Sequence, residues 1–177
     1  MLGVDLWHLS SRPQSRASGS ISEPSMDNEI FRETYQTINE RACPFEKGVL
    51  TNNCDCRRAQ RFCIAEREGV RCNSDAAQTR CVGLLAMLRA QARFALKTTD
   101  QSSALPHAKA MRVQVGGLRG LHAAVWPDEP VPAIIGDVDA VIEAAVERFG
   151  DLDSVPLQAV VQQINAYRGR RPSRGRR

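Results

Sequence analysis

All six cysteines of the chain fall between Cys43 and Cys81, separated by ten, one, six, eight and eight residues. So dense a run of thiols leaves few options. They cross-link, pack as small apolar groups, or converge on a metal. The first 25 residues lack a basic stretch followed by an apolar one, so no secretory signal is expected. A cytoplasmic, reducing setting follows, in which thiols stay free for metal.

The spacing bears on which metal. Zinc sites commonly pair their ligands with two to four residues between them. Here Cys54-Asp55-Cys56 has one intervening residue and every other gap is six or more. The repeated two-residue gaps of small ferredoxins are absent too. His8, His107 and His122 all lie outside the segment. Several widely spaced thiols without histidine point to an iron–sulfur cluster of the [4Fe-4S] type, with zinc as the alternative. The expected ligands are Cys54, Cys56, Cys72 and Cys81. Cys43 is the substitute for Cys56, because thiols one residue apart are hard to seat on one cubane face. Cys63, beside Phe62, is expected to be a core thiol.

The periodicity predicts helices around these thiols. Asp27 to Arg41 reads as a helix with Ile30, Phe31, Tyr35 and Ile38 on one face, ended by Cys43-Pro44. Cys56 to Glu68 reads as a short helix capped by Asp55 and closed by Gly69. Asp75 to Lys97 reads as the longest helix, with Cys81, Leu84, Leu85, Leu88, Ala92 and Ala95 along one stripe and an Asp75–Gln78 capping box. Cys54 and Cys56 would then sit at a helix N-terminus, where free N–H groups favour thiolate. Arg57, Arg58, Arg61, Arg67, Arg71 and Arg80 would offset the charge of an anionic cluster.

Beyond a polar loop at 98–106, Met111, Val113 and Val115 alternate with polar residues and predict a strand. Gly116-Gly117-Leu118-Arg119-Gly120 reads as a hairpin turn into a second strand, 121–126, rather than a phosphate loop. Asp137 caps a helix over 138–149 that ends at Gly150, and Ser154 caps another starting near Pro156. These two helices read as a hairpin packed on the sheet rather than a DNA-reading pair. The fold class is therefore α+β and mainly helical. It combines a cysteine-rich helix–loop–helix metal-binding segment, a small β-hairpin and a C-terminal helix pair. Residues 26–97 and 98–167 form one domain, between a disordered leader (1–25) and a disordered Arg-rich tail (168–177).

Charge separates tail from body. The chain carries 24 basic and 20 acidic residues, and residues 168–177 hold six arginines and no acid. Without them the body has a net charge of about −2, so only the tail suggests nucleic acid as a partner. No apolar run reaches the roughly 18 residues of a membrane span. No metalloprotease, nucleophile-elbow or P-loop motif is present. The expectation is a non-catalytic protein serving electron transfer or redox sensing with a redox partner protein, or acting as an accessory subunit. A zinc-stabilised module binding nucleic acid or protein is the alternative.

Overall fold

The computed structural model describes residues 26–96 and 105–169. The leader 1–25, part of the loop at 98–106 and tail residues 170–177 lie outside them. The chain runs α1 (Met26–Ile38), α2 (Glu46–Leu50), β1 (Ala59–Ile64), β2 (Arg67–Cys72) and α3 (Asp75–Leu96). Then come α4 (His107–Met111), a π-helical turn (Arg112–Gly116), α5 (Gly117–Val125), α6 (Val138–Phe149) and α7 (Leu157–Ala166). The protein is mixed α+β, mainly helical, with one two-stranded antiparallel hairpin among the described residues.

The hairpin is not where the sequence predicts it. The helix expected over Cys56 to Glu68 and the loop expected at Arg71 and Cys72 are instead β1 and β2, paired from Ala59↔Cys72 to Ile64↔Arg67. The loop between them is only Ala65-Glu66, and Ala65 adopts φ 52°. Glycine, asparagine or aspartate usually marks such a turn; alanine there hides it. Gly69 is a strand residue, not a helix terminator. A Cβ on it would lie 2.5 Å from Phe62 Cζ and 2.8 Å from Tyr35 Cε2. The two rings therefore cover its backbone, and α1 packs on the hairpin through Tyr35 and Phe31. Arg67 stacks over Phe31 and Arg71 over Phe62. Ile30 and Ile38, expected on the inner face, are exposed.

The region 111–126, expected as two strands joined by a turn at Gly116–Gly120, is helix as far as Val125. α4, the π-turn and α5 share helical backbone angles at their junctions and form one rod from His107 to Val125. Val113, Gln114, Val115, Gly116, Gly117 and Leu118 are buried in succession. A helix buried all round loses the one-sided 3.6-residue stripe, and two valines flanking Gln114 then mimic a strand's alternation. The glycines serve close approach. A Cβ on Gly120 would stand 2.4 Å from Val160 Cα, and one on Gly116 2.8 Å from Ile164 Cα. Four residues apart, they lie on one face of the rod and let the α7 backbone settle against it.

The core joins both halves of the chain. Leu84, Leu85, Leu88, Ala92 and Leu96 of α3 meet Leu118 and Leu121 of α5, Val141 and Ile142 of α6, and Val160 and Ile164 of α7. Burying each such leucine or isoleucine fully stabilises the fold by roughly 1.5–3 kcal/mol. α3 begins and ends close to expectation, although Ser74 rather than Asp75 caps it, its Oγ accepting from Ala77 N at 3.3 Å. Asp137 caps α6 and Gly150, at φ 86°, closes it, both as expected. α6 and α7 pack on α5 instead of on a sheet.

Candidate metal centre

Four separate segments bring four thiols to one pocket. Cys43 follows α1, Cys56 precedes β1, Cys72 ends β2, and Cys81 lies in the second turn of α3. All four line the same pocket, together with Pro44, Phe45, Val49, Arg58, Ala59, Ala77, Gln78, Val138 and Asp139. Backbone hydrogen bonds set the positions. Segment 41–43 runs beside β2, with Cys43 N donating to Val70 O at 2.9 Å and Cys72 N to Arg41 O at 2.8 Å. Segment 53–55 runs beside the approach to α6, with Asp55 N donating to Ile135 O at 2.8 Å and Val138 N to Asp55 O at 2.9 Å.

Cys54 and Cys63 are off this wall, although Cys54 stays near enough to Cys43 and Cys56 for their charge to raise its pKa. Cys54 is buried, but its Sγ fills the space that a Cβ on Gly48 would need, 2.7 Å away, and it is off the pocket wall. Cys63 faces solvent from β1. It lies outside the pocket, as expected, but it is not the core thiol on a helix that the sequence suggested. Of the five thiols put forward from the sequence, the fold therefore gathers Cys43, Cys56, Cys72 and Cys81. All six cysteines are free thiols.

The predicted helix N-terminus at Cys56 does not exist, yet two other helices supply its effect. The first turns of α3 (Ala77, Gln78) and α6 (Val138, Asp139) both form pocket wall. The first turns of two helices thus border the pocket, and the Asp139 N–H of α6 reaches Cys56, a setting that favours anionic charge. Arg58 N donates to Cys56 Sγ at 3.4 Å, and Cys72 Sγ donates to Ser74 O at 3.3 Å. Burial pushes the Cys43 and Cys81 thiols up to about 12, and the off-wall Cys54 thiol likewise. Cys56 is raised by burial too, against the lowering effect of N–H groups of Arg58 and Asp139. Without a metal, then, these thiols stay protonated at neutral pH, and a bound cation must displace those protons.

Two residues hold this arrangement that the sequence did not single out. Gln114, 5% exposed, reaches out of the π-turn across the pocket's outer loop. Its Nε2 donates to Pro44 O at 2.9 Å, and its Oε1 accepts from Gly48 N at 3.1 Å. It thereby clamps the loop that carries Cys43. Asp139, 1% exposed, has Arg57, Arg58 and Arg80 at 3.0 Å from its carboxylate. Burial alone would raise its pKa; Arg58, Arg57 and Arg80 more than offset that and hold it below the usual carboxylate range. In sequence Asp139 looks like any acid in a first helical turn, and Gln114 like the polar member of a strand.

His107 is exposed on α4, and His122 packs against Trp126, so neither described histidine is near the thiols. His8 lies outside the described residues. Among the described residues no three His, Cys, Asp or Glu side chains stand in an arrangement that could hold a single metal ion. The four thiols line one pocket. No helix among those residues is long and apolar enough to cross a membrane. No family model, curated protein or solved structure matches the chain.

Proposed function

We propose that the protein binds an iron–sulfur cluster, of the [4Fe-4S] type, between Cys43, Cys56, Cys72 and Cys81. The observation that carries this reading is the convergence of four free thiols, from four separate segments, on one buried pocket. A cubane interposes iron and sulfide between its thiolates and needs a wider ring of sulfurs than one zinc ion does. The wide spacing of the cysteines and the absence of histidine between them favour a cluster over zinc. The two helix N-termini and the flanking arginines suit an anionic centre. Its role is electron transfer or redox sensing with a redox partner protein, in a reducing, cytoplasmic setting.

The test is to purify the full chain without oxygen and to measure iron, sulfide, zinc and the visible spectrum. Iron and sulfide in near-equal amounts with a visible chromophore are expected. A colourless protein carrying one zinc per chain overturns the reading. Serine at Cys43, Cys56, Cys72 or Cys81 should abolish the chromophore, while Cys54→Ser and Cys63→Ser should keep it. Loss with Cys54→Ser and retention with Cys43→Ser would overturn this ligand set.

A further inference from the structure

Asp139 is the acidic group of the pocket wall that thiol ligation leaves unused. It is almost wholly out of water and is met by three guanidinium groups. Burying a carboxylate this way is costly unless its partners are fixed, so the arrangement holds the arginines as much as it is held by them. Arg58 itself lines the pocket, two residues after Cys56. Arg80, next to Cys81, gives its Nη2 to Asp139, and its buried Nε has no acceptor in the protein. A buried N–H without a partner is uncommon in a folded chain, and a sulfide or thiolate in the adjoining pocket is the kind of acceptor it lacks. Around Asp139 the charges balance: Arg57, Arg58 and Arg80 face Asp137, Asp139 and Glu143.

We propose that Asp139 is a positioning residue for the four-thiol centre. Its carboxylate locks Arg58 at the pocket wall and Arg80 behind it, and the balance of charge in this group sets the reduction potential of the cluster. The inference rests on the cluster reading above. A cluster held by four thiolates gains negative charge on reduction, so each fixed positive charge nearby favours the reduced form and each negative charge opposes it. Because the group is balanced, one substitution tips it in a known direction. Asp139→Asn removes a negative charge and should raise the potential. Arg80→Gln removes a positive charge and should lower it.

The experiment compares the anaerobically purified full chain with Asp139→Asn and Arg80→Gln. Iron and sulfide content, the reduction potential from a spectroscopic titration, and the half-life of the chromophore in air are measured. Opposite shifts in potential are expected, with at least severalfold faster cluster loss in air for Asp139→Asn. A purely structural role for Asp139 would loosen the site in both variants without moving the potential in opposite directions. Unchanged potentials, or shifts of the same sign, overturn the inference while leaving the cluster reading intact. A wild-type protein without iron and sulfide overturns both. If Asp139→Asn fails to fold, Arg80→Gln alone decides, since that side chain is partly exposed and its loss leaves Asp139 two arginines. An unchanged or raised potential in that variant overturns the inference.

Discussion

The glycine-mediated contact between α5 and α7 can be tested with one substitution made at two places. Gly83 and Gly120 both lie inside helices, and alanine is the better helix former by about 1 kcal/mol. At Gly83 a Cβ meets nothing within 4 Å, so Gly83→Ala should stabilise the protein by about that amount. At Gly120 the same Cβ would stand 2.4 Å from Val160 Cα, 3.0 Å from its O and 3.1 Å from its C. Carbon atoms pack at about 3.5–4.0 Å, so the helices must part by roughly 1 Å. The obstacle is backbone, which cannot turn aside as a side chain can. Overpacking of this kind costs roughly 1–3 kcal/mol. Taking its upper end against the propensity gain leaves Gly120→Ala destabilised by about 2 kcal/mol. Urea unfolding of the two variants beside wild type, at equal slope, is the assay. In heating experiments the shifts correspond to about 2–4 °C up for Gly83→Ala and about 4–8 °C down for Gly120→Ala. If Gly120→Ala is as stable as wild type, the close packing of α7 on the rod is wrong, and the hairpin suggested by Gly116–Gly120 regains its claim.

Two further outcomes follow from local geometry. Ala65, at φ 52°, occupies a region that disfavours L-residues by roughly 1–2 kcal/mol. After about 0.5–1 kcal/mol of added backbone entropy cost, Ala65→Gly should stabilise the hairpin by about 0.5–1 kcal/mol in urea unfolding; destabilisation would refute the turn. Burial raises Cys43, Cys54 and Cys81 in the folded state above their unfolded values. Their contribution is therefore intact below about pH 8.5 and is lost as pH climbs towards the folded values, because only the unfolded chain can ionise. The metal-free protein should lose about 1 kcal/mol per buried thiol per pH unit over that alkaline range, and a urea midpoint that stays flat from pH 8 to 10.5 would contradict the burial.

The sequence shows its one-sided helices well and hides its fully buried or tightly turned elements. α3 and α6 carry clear stripes and caps, and both lie within two residues of expectation. The rod from His107 to Val125 is buried at six successive residues, 113–118, which breaks the one-sided period at its middle, and its glycines report contact with α7 rather than a turn. The hairpin fails for a different reason. Its turn uses alanine, and its strand residues Phe62 and Ile64 are too few for alternation to outweigh the helix-like signals of Asp55 and Gly69. At the pocket, the density of cysteines was legible, and so was the need to leave one or two aside. Which four converge was not, because Cys54 and Cys56 are equivalent in spacing until the Asn53–Asp55 segment is pinned along residues 135–138. Gln114 and Asp139 lie 33 and 58 residues beyond Cys81, the nearest pocket cysteine in sequence, a separation that motif spacing cannot register.

The pocket's dependence on α6 also imposes an order on synthesis. Every thiol has left the ribosome well before Val138 and Asp139 are made, yet those two residues complete the wall. During that interval the nascent chain presents its sulfurs without the carboxylate that gathers the arginines around them. A chain cut short after α3 would keep all six cysteines and lose that enclosure, leaving them open to oxidants and to stray metal ions. Completion of the pocket is thus timed by the C-terminal half of the protein, and a stalled or clipped product is the form whose thiols are most exposed to damage.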